Sequence, residues 1–137
     1  MTSDQKELLI RDLCSRLPYG VKVKILSMES PLTVLSINTN GETWVKGDKG
    51  YPFEIDWENC KPYLIPLSSM TEEQKDEIRN RFCYEWETDE DVSDLWKHEL
   101  EFGYALEFIQ WCYENHLDIG GLIPKGLAVD ATGKNVY

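Results

Sequence analysis

The sequence has no Cys-x-x-Cys, no glycine-rich phosphate loop and only two histidines. Its four cysteines, Cys14, Cys60, Cys83 and Cys112, are widely spaced. That pattern reads as reduced thiols of a cytosolic protein, not as a disulfide framework. Cys14, Cys83 and Cys112 fall in expected helices, where a free thiol behaves as a small buried apolar residue. No apolar run is long enough to span a bilayer. The start, Met1 to Glu7, is polar and then amphipathic, without the apolar core of a signal peptide. A cytoplasmic protein is expected. Bases are scarce: 14 against 25 acids, a net charge of −11.

That charge is unevenly spread. Residues 1–70 have a net charge of −1, residues 71–118 of −11 and residues 119–137 of +1. Contact with nucleic-acid phosphates through the acidic part is disfavoured. A basic or amphipathic protein partner is the natural complement.

At 137 residues the chain is expected to form one domain, 1–137, with a core that needs neither disulfide nor metal. Leu95 to His116 reads as its central helix. One face carries Leu95, His98, Phe102, Ala105, Leu106, Ile109, Cys112, Tyr113 and His116. Another carries Trp96, Leu100, Tyr104, Phe108 and Trp111. Two apolar sides predict a helix sandwiched between other elements, with Leu106 and Ile109 in the core.

Ser3 is the expected N-cap of a first helix, Asp4 to Arg16, which Pro18 stops at Leu17. From Tyr19-Gly20 the period changes from 3.6 to 2. Val21–Ile25, Leu32–Thr39, Glu42–Lys46, Phe53–Trp57 and Lys61–Ile65 read as short strands. Asn40-Gly41 signals a type I′ hairpin, and Pro62 argues for an edge position. Thr71-Glu72-Glu73-Gln74 is a capping box opening a helix to about Glu85, with Ile78, Phe82 and Trp86 as its stripe. Gly120-Gly121 reads as a turn. Leu122 to Val129 reads as a tail laid over the core. The expectation is an α+β fold: N-terminal helix, small strongly bent antiparallel sheet resembling an SH3-like barrel, then two helices with a docked tail. The helix and sheet occupy 1–70; the acidic helical half and tail occupy 71–137.

Few residues point to chemistry. Glu85, Glu87, Asp89, Glu90, Asp91 and Asp94 offer oxygen ligands for a hard cation, but lack the glycine and closing glutamate of an EF-hand. A solvated helix–helix loop is the better reading; Glu87, Asp89, Glu90, Asp91 and Asp94 are the candidate residues for a partner-binding face. Cys112 and His116 stand at i, i+4, but a zinc site would also need His98 and Cys83, at no characteristic spacing. A Cys112, His116 and Asp118 nucleophile site has no local support. No cofactor is expected. The tryptophans are mostly core, while Trp44 and Trp57 in the sheet half offer a peptide-binding face.

Three stretches carry a resemblance. They are Leu17-Pro18-Tyr19-Gly20-Val21-Lys22, the joint Lys61-Pro62-Tyr63-Leu64-Ile65-Pro66-Leu67-Ser68-Ser69-Met70-Thr71-Glu72-Glu73-Gln74, and the C-terminal run Asp118 to Thr132. Together they resemble small uncharacterised proteins encoded in phage-like or other mobile elements of gut anaerobic bacteria. Many members have Arg in place of Gly120 and an acidic residue in place of Pro124. The resemblance implies a genetic context, not a mechanism. The functional expectation is a non-enzymatic cytosolic interaction protein of a mobile element. The alternative is an acidic mimic that occupies the nucleic-acid site of a host protein, and a small hydrolase or metal enzyme ranks third.

Overall fold

In a computed structural model of the chain, residues 1–25, 28–82 and 102–137 are described. They form helix α1 (Ser3–Arg16), strands β1 (Lys22–Lys24), β2 (Leu32–Ile37), β3 (Glu42–Lys46), β4 (Phe53–Asp56) and β5 (Lys61–Leu64), helices α2 (Glu72–Phe82) and α3 (Phe102–Glu114), and strand β6 (Val129–Asp130). The fold is mixed α+β, with the six strands in one strongly curled sheet ordered β4-β3-β2-β1-β5-β6.

The N-terminal caps of α1 and α2 follow from spacing. The N-cap of α1 is Thr2, not Ser3. Thr2 Oγ1 accepts the Gln5 amide at 3.2 Å, and the Thr2 amide donates to Gln5 Oε1 at 3.0 Å. Ser3 has Lys6 three residues on, which has no oxygen to reach back with. Thr71 and Gln74 make the same reciprocal pair at α2, at 3.1 and 3.0 Å. Leu17–Tyr19 continues α1 as a 3₁₀ turn, and Gly20 at φ 80 releases the chain into β1.

Val21, Val23 and Ile25 are buried, with Lys22 and Lys24 pointing the other way. The hairpin between β2 and β3 is present, but it is not type I′. Gly41 has φ +84, whereas Asn40 has no positive φ, and type I′ needs both. The Gly41 amide donates to the Asn38 carbonyl and the Asn38 amide to the Glu42 carbonyl, each at 3.0 Å. The Asn38 side chain supplies the rest, since its Oδ1 accepts the amides of Asn40 and Glu42. A three-residue loop with glycine at its left-handed position matches this pattern. The register slips between Val34 and Ser36, leaving Leu35 as a bulge that turns both Leu35 and Ser36 outward.

Two further expectations are corrected. Strand β5 is not at an edge: it pairs antiparallel with β1 and parallel with β6. Pro62 is accommodated opposite Val23, and pairing with β6 begins one residue later, at Tyr63. The sheet is therefore not purely antiparallel. A parallel bridge between Ile65 and Leu117 runs on from the β5–β6 pairing.

The core between α1 and the sheet contains Leu9, Leu13, Val23, Leu32, Val45 and Leu64, closed by Leu122 and Leu127 of the tail. A second cluster joins Met70 and Ile78 to Phe108, Trp111, Cys112 and Leu117. Among the described side chains of α3, only one side is packed into the core. Phe108, Trp111 and Cys112 are buried, while Leu106 is 63% and Ile109 40% exposed. The buried stripe is a single i, i+3, i+4 set, as in a surface helix. Leu95 to Glu101 of the expected central helix lie outside the described residues. The tail is docked as expected: Asp118 accepts the amides of Leu122 and Ile123 at 2.8 and 2.9 Å, which folds the segment back onto the core.

Candidate functional site

The acidic candidates Glu87, Asp89, Glu90, Asp91 and Asp94 lie outside the described residues, as do Cys83, Glu85 and His98. Among the described residues, no group of three or more His, Cys, Asp or Glu is placed to hold a metal ion. Also among them, no helix is long and apolar enough to cross a membrane. Cys112, His116 and Asp118 sit at the end of α3, but each is engaged separately. Cys112 is fully buried, and that burial pushes its thiol up to about 12, far from a thiolate nucleophile. Both carboxylate oxygens of Asp118 are used by the tail's amides. His116 adopts φ 59 and lies flat against Tyr137. Cys14, expected to be buried, is exposed on α1.

The most unusual chemistry around these residues is a buried polar cluster. Arg16, in the last turn of α1, is fully buried. Its Nε donates to Asp12 Oδ2 at 2.7 Å, and its Nη2 donates to the Leu117 carbonyl at 2.7 Å. The guanidinium carbon stands 4.9 Å from the centre of the Tyr113 ring, within cation–π range. Arg16 thus ties the first helix to the end of α3, residues more than a hundred positions apart. Its Nη1 and His116 Nδ1 are both buried without a hydrogen-bond partner. Burial holds Asp12 above the usual carboxylate range even against its ion pair with Arg16. His116 is pulled down to about 4, first by burial and then by the charges of Arg16 and Lys22. At neutral pH it is uncharged.

Lys22 and Tyr137 complete the cluster. Tyr137 Oη accepts the Lys22 amide at 3.0 Å and donates to the Tyr63 carbonyl at 2.8 Å. Lys22 Nζ donates to the Val136 carbonyl at 2.9 Å. The cluster is a clasp: it joins α1, β1, β5, the end of α3 and the C-terminal residues. Its members are spread from position 12 to 137, so no local spacing signals it. The one cue is Asp12 with Arg16 at i, i+4 on the face that also carries Leu9 and Leu13.

Outward chemistry lies elsewhere. On α3, exposed Leu106 and Ile109 share the surface with exposed Glu107 and Glu114. On α2 the bases are paired within their own helix: Lys75 with Glu72, Arg79 with Asp76 and Arg81 with Glu77. Glu73 is exposed beside them. Residues 83–101 add eight acids and one base in sequence. The two sheet tryptophans differ. Trp44 is 41% exposed on β3, next to the Leu35 bulge, whereas Trp57 is partly buried against the core. No protein-family model, no curated protein and no solved structure matches the chain.

Proposed function

We propose that the chain is a non-enzymatic interaction protein whose acidic helical half receives a basic, amphipathic protein segment. The observation that carries this is the outer face of α3, where Leu106 and Ile109 stand exposed beside Glu107 and Glu114. An apolar pair with an acidic rim complements a helix bearing leucines on one side and Lys or Arg around them. The excess of acid over base in residues 71–118 supports the same polarity. Cys112 and Asp118 are tied to packing and to tail capping, which argues against their service as a reacting pair. The resemblance to mobile-element proteins supplies the setting: a bacterial cytoplasm, with the partner drawn from the element or from its host.

The test is affinity capture with the full chain, followed by measured binding of each captured protein. Association steered by charge weakens from about 50 to 200 mM salt, mainly through a slower on-rate. Leu106→Ser with Ile109→Ser should remove binding while leaving the melting temperature intact. Neutral amides at Glu87, Asp89, Glu90 and Asp91 should reproduce the salt effect. A partner that binds both variants normally in high salt overturns the reading. Competition by nucleic acid for the same partner would turn it into the mimic alternative.

A further inference from the structure

Opposite in charge to the acidic half is a groove that crosses α1, β5 and the tail. Two adjoining cavities make it, of about 260 and 280 Å3, sharing Glu58 and Lys61 in their walls. Lys24 and Val129 line the first; Leu9, Lys125 and Leu127 line the second.

The lysines are the informative part. Lys24 and Lys61 are directly opposite each other in the β1–β5 register. Like charges in that position repel across the strands. Neither has an ion pair among the described residues, and neither does Lys125. The acid within reach, Glu58, is already held by Lys6 at 3.3 Å. So a chain with 25 acids leaves three ammonium groups along one groove uncompensated. An anion placed between Lys24 and Lys61 removes the repulsion that the sheet otherwise carries.

We propose that this groove binds an extended acidic peptide segment, with carboxylates at Lys24–Lys61 and at Lys125 and an apolar side chain between them against half-buried Val129. A peptide fits better than nucleic acid. Among the described residues no aromatic ring lines the groove, so bases find none there to stack on. The chain's net charge of −11 also repels a polyanion at long range more than a segment with two or three charges. The site is separate from α3 and does not depend on the proposal made for that face.

The experiment is an amide NMR titration of the intact protein with a hexapeptide of alternating glutamate and leucine. Saturable shifts are expected at Lys24, Lys61, Lys125 and their neighbours. Lys61→Glu should weaken binding by about tenfold or more, as loss of a close charge partner does. Either reversal places opposite charges across the β1–β5 pair, so Lys24→Glu should weaken peptide binding as Lys61→Glu does while neither lowers the melting temperature, which controls for folding. The absence of saturable shifts, shifts centred elsewhere, or unchanged affinity in Lys61→Glu would each overturn the proposal. Citrate binding as tightly as the peptide would make the groove a small-anion pocket, and oligothymidylate displacing the peptide would make it a nucleic-acid groove; both also overturn it.

Discussion

Tyr137 lies flat on His116, with ring centres 3.4 Å apart and planes within 9°. The contact is possible because His116 takes a left-handed backbone, φ 59, just after α3 ends. Its amide donates to Tyr113 as the helix unwinds, and the Leu117 amide reaches back to Cys112. The ring is thereby delivered to the place where the C-terminal tyrosine arrives from β6. The same place holds the unpaired edge of Arg16, and the imidazole Nδ1 is buried beside it without a hydrogen-bond partner while the ring is stacked on Tyr137.

His116 should therefore make stability depend on pH. Its folded pKa, about 4, lies below its ordinary 6.5. The unfolded chain takes up the proton first, so stability rises with pH across that window and is lost as pH falls from 6.5 toward 4. The groups facing the ring set the direction: Arg16 and Lys22 repel the imidazolium. Asp12, held above 3.8, contributes the opposite slope and so must be kept constant. His116→Asn tolerates the left-handed backbone and removes the proton. Urea melts from pH 7 to 4 should show wild type losing stability faster than His116→Asn. Parallel curves would mean that the ring is not desolvated.

Asp12 and Arg16 should behave as a pair that is costly to halve. Their side chains are 5% and 0% exposed, with the pair closed at 2.7 Å. Asp12→Ala leaves a buried guanidinium without its anion and should cost about 3–5 kcal/mol. The double variant Asp12→Leu, Arg16→Met should recover much of that loss, because no uncompensated charge stays inside. A double variant as unstable as Asp12→Ala would show that the bond from Arg16 to the Leu117 carbonyl matters more than the charge.

Sequence reasoning located what local chemistry determines. Strand β3 was legible to the residue, Thr71–Gln74 as a cap, and Val21, Val23 and Ile25 as one buried face. It failed where a residue's partner is distant. Nothing near Val129 announces a parallel strand, since its partner Tyr63 is 66 positions away. Pro62 suggested an edge because a local rule cannot see that β6 begins pairing beyond it. The clasp around Arg16 was illegible for the same reason. On α3 the buried residues Phe108, Trp111 and Cys112 draw on both apolar sides, and only distant neighbours decide which residues of each are covered.

Gly41 gives a sharper test of the hairpin. It combines φ +84 with a close neighbour: a Cβ there would stand 2.8 Å from Trp57 Nε1. Gly41→Ala must therefore accept left-handed strain of about 1–2 kcal/mol and also displace the indole. Asn40→Ala meets neither obstacle, since Asn40 has no positive φ. A large drop in melting temperature with altered tryptophan fluorescence is expected for Gly41→Ala, and a small drop for Asn40→Ala. Equal losses would restore the type I′ turn.

The final prediction separates the two sides of α3. Trp111 and Phe108 are 2% and 4% exposed, so Trp111→Ala removes a large side chain from the cluster with Met70, Ile78 and Leu117. A loss of about 3–5 kcal/mol follows from lost transfer energy and the cavity left behind. Leu106 is 63% exposed and leaves little behind when shortened. Leu106→Ala should stay within about 0.5 kcal/mol of wild type, as substitutions on open surface do, and Ile109→Ala should cost only slightly more. The ordering is what connects stability to function. Residues that fold the protein and residues that meet a partner are then different sets on one helix. If Leu106→Ala instead melts as Trp111→Ala does, that face is packed in solution, and a basic segment has no apolar pair to dock on.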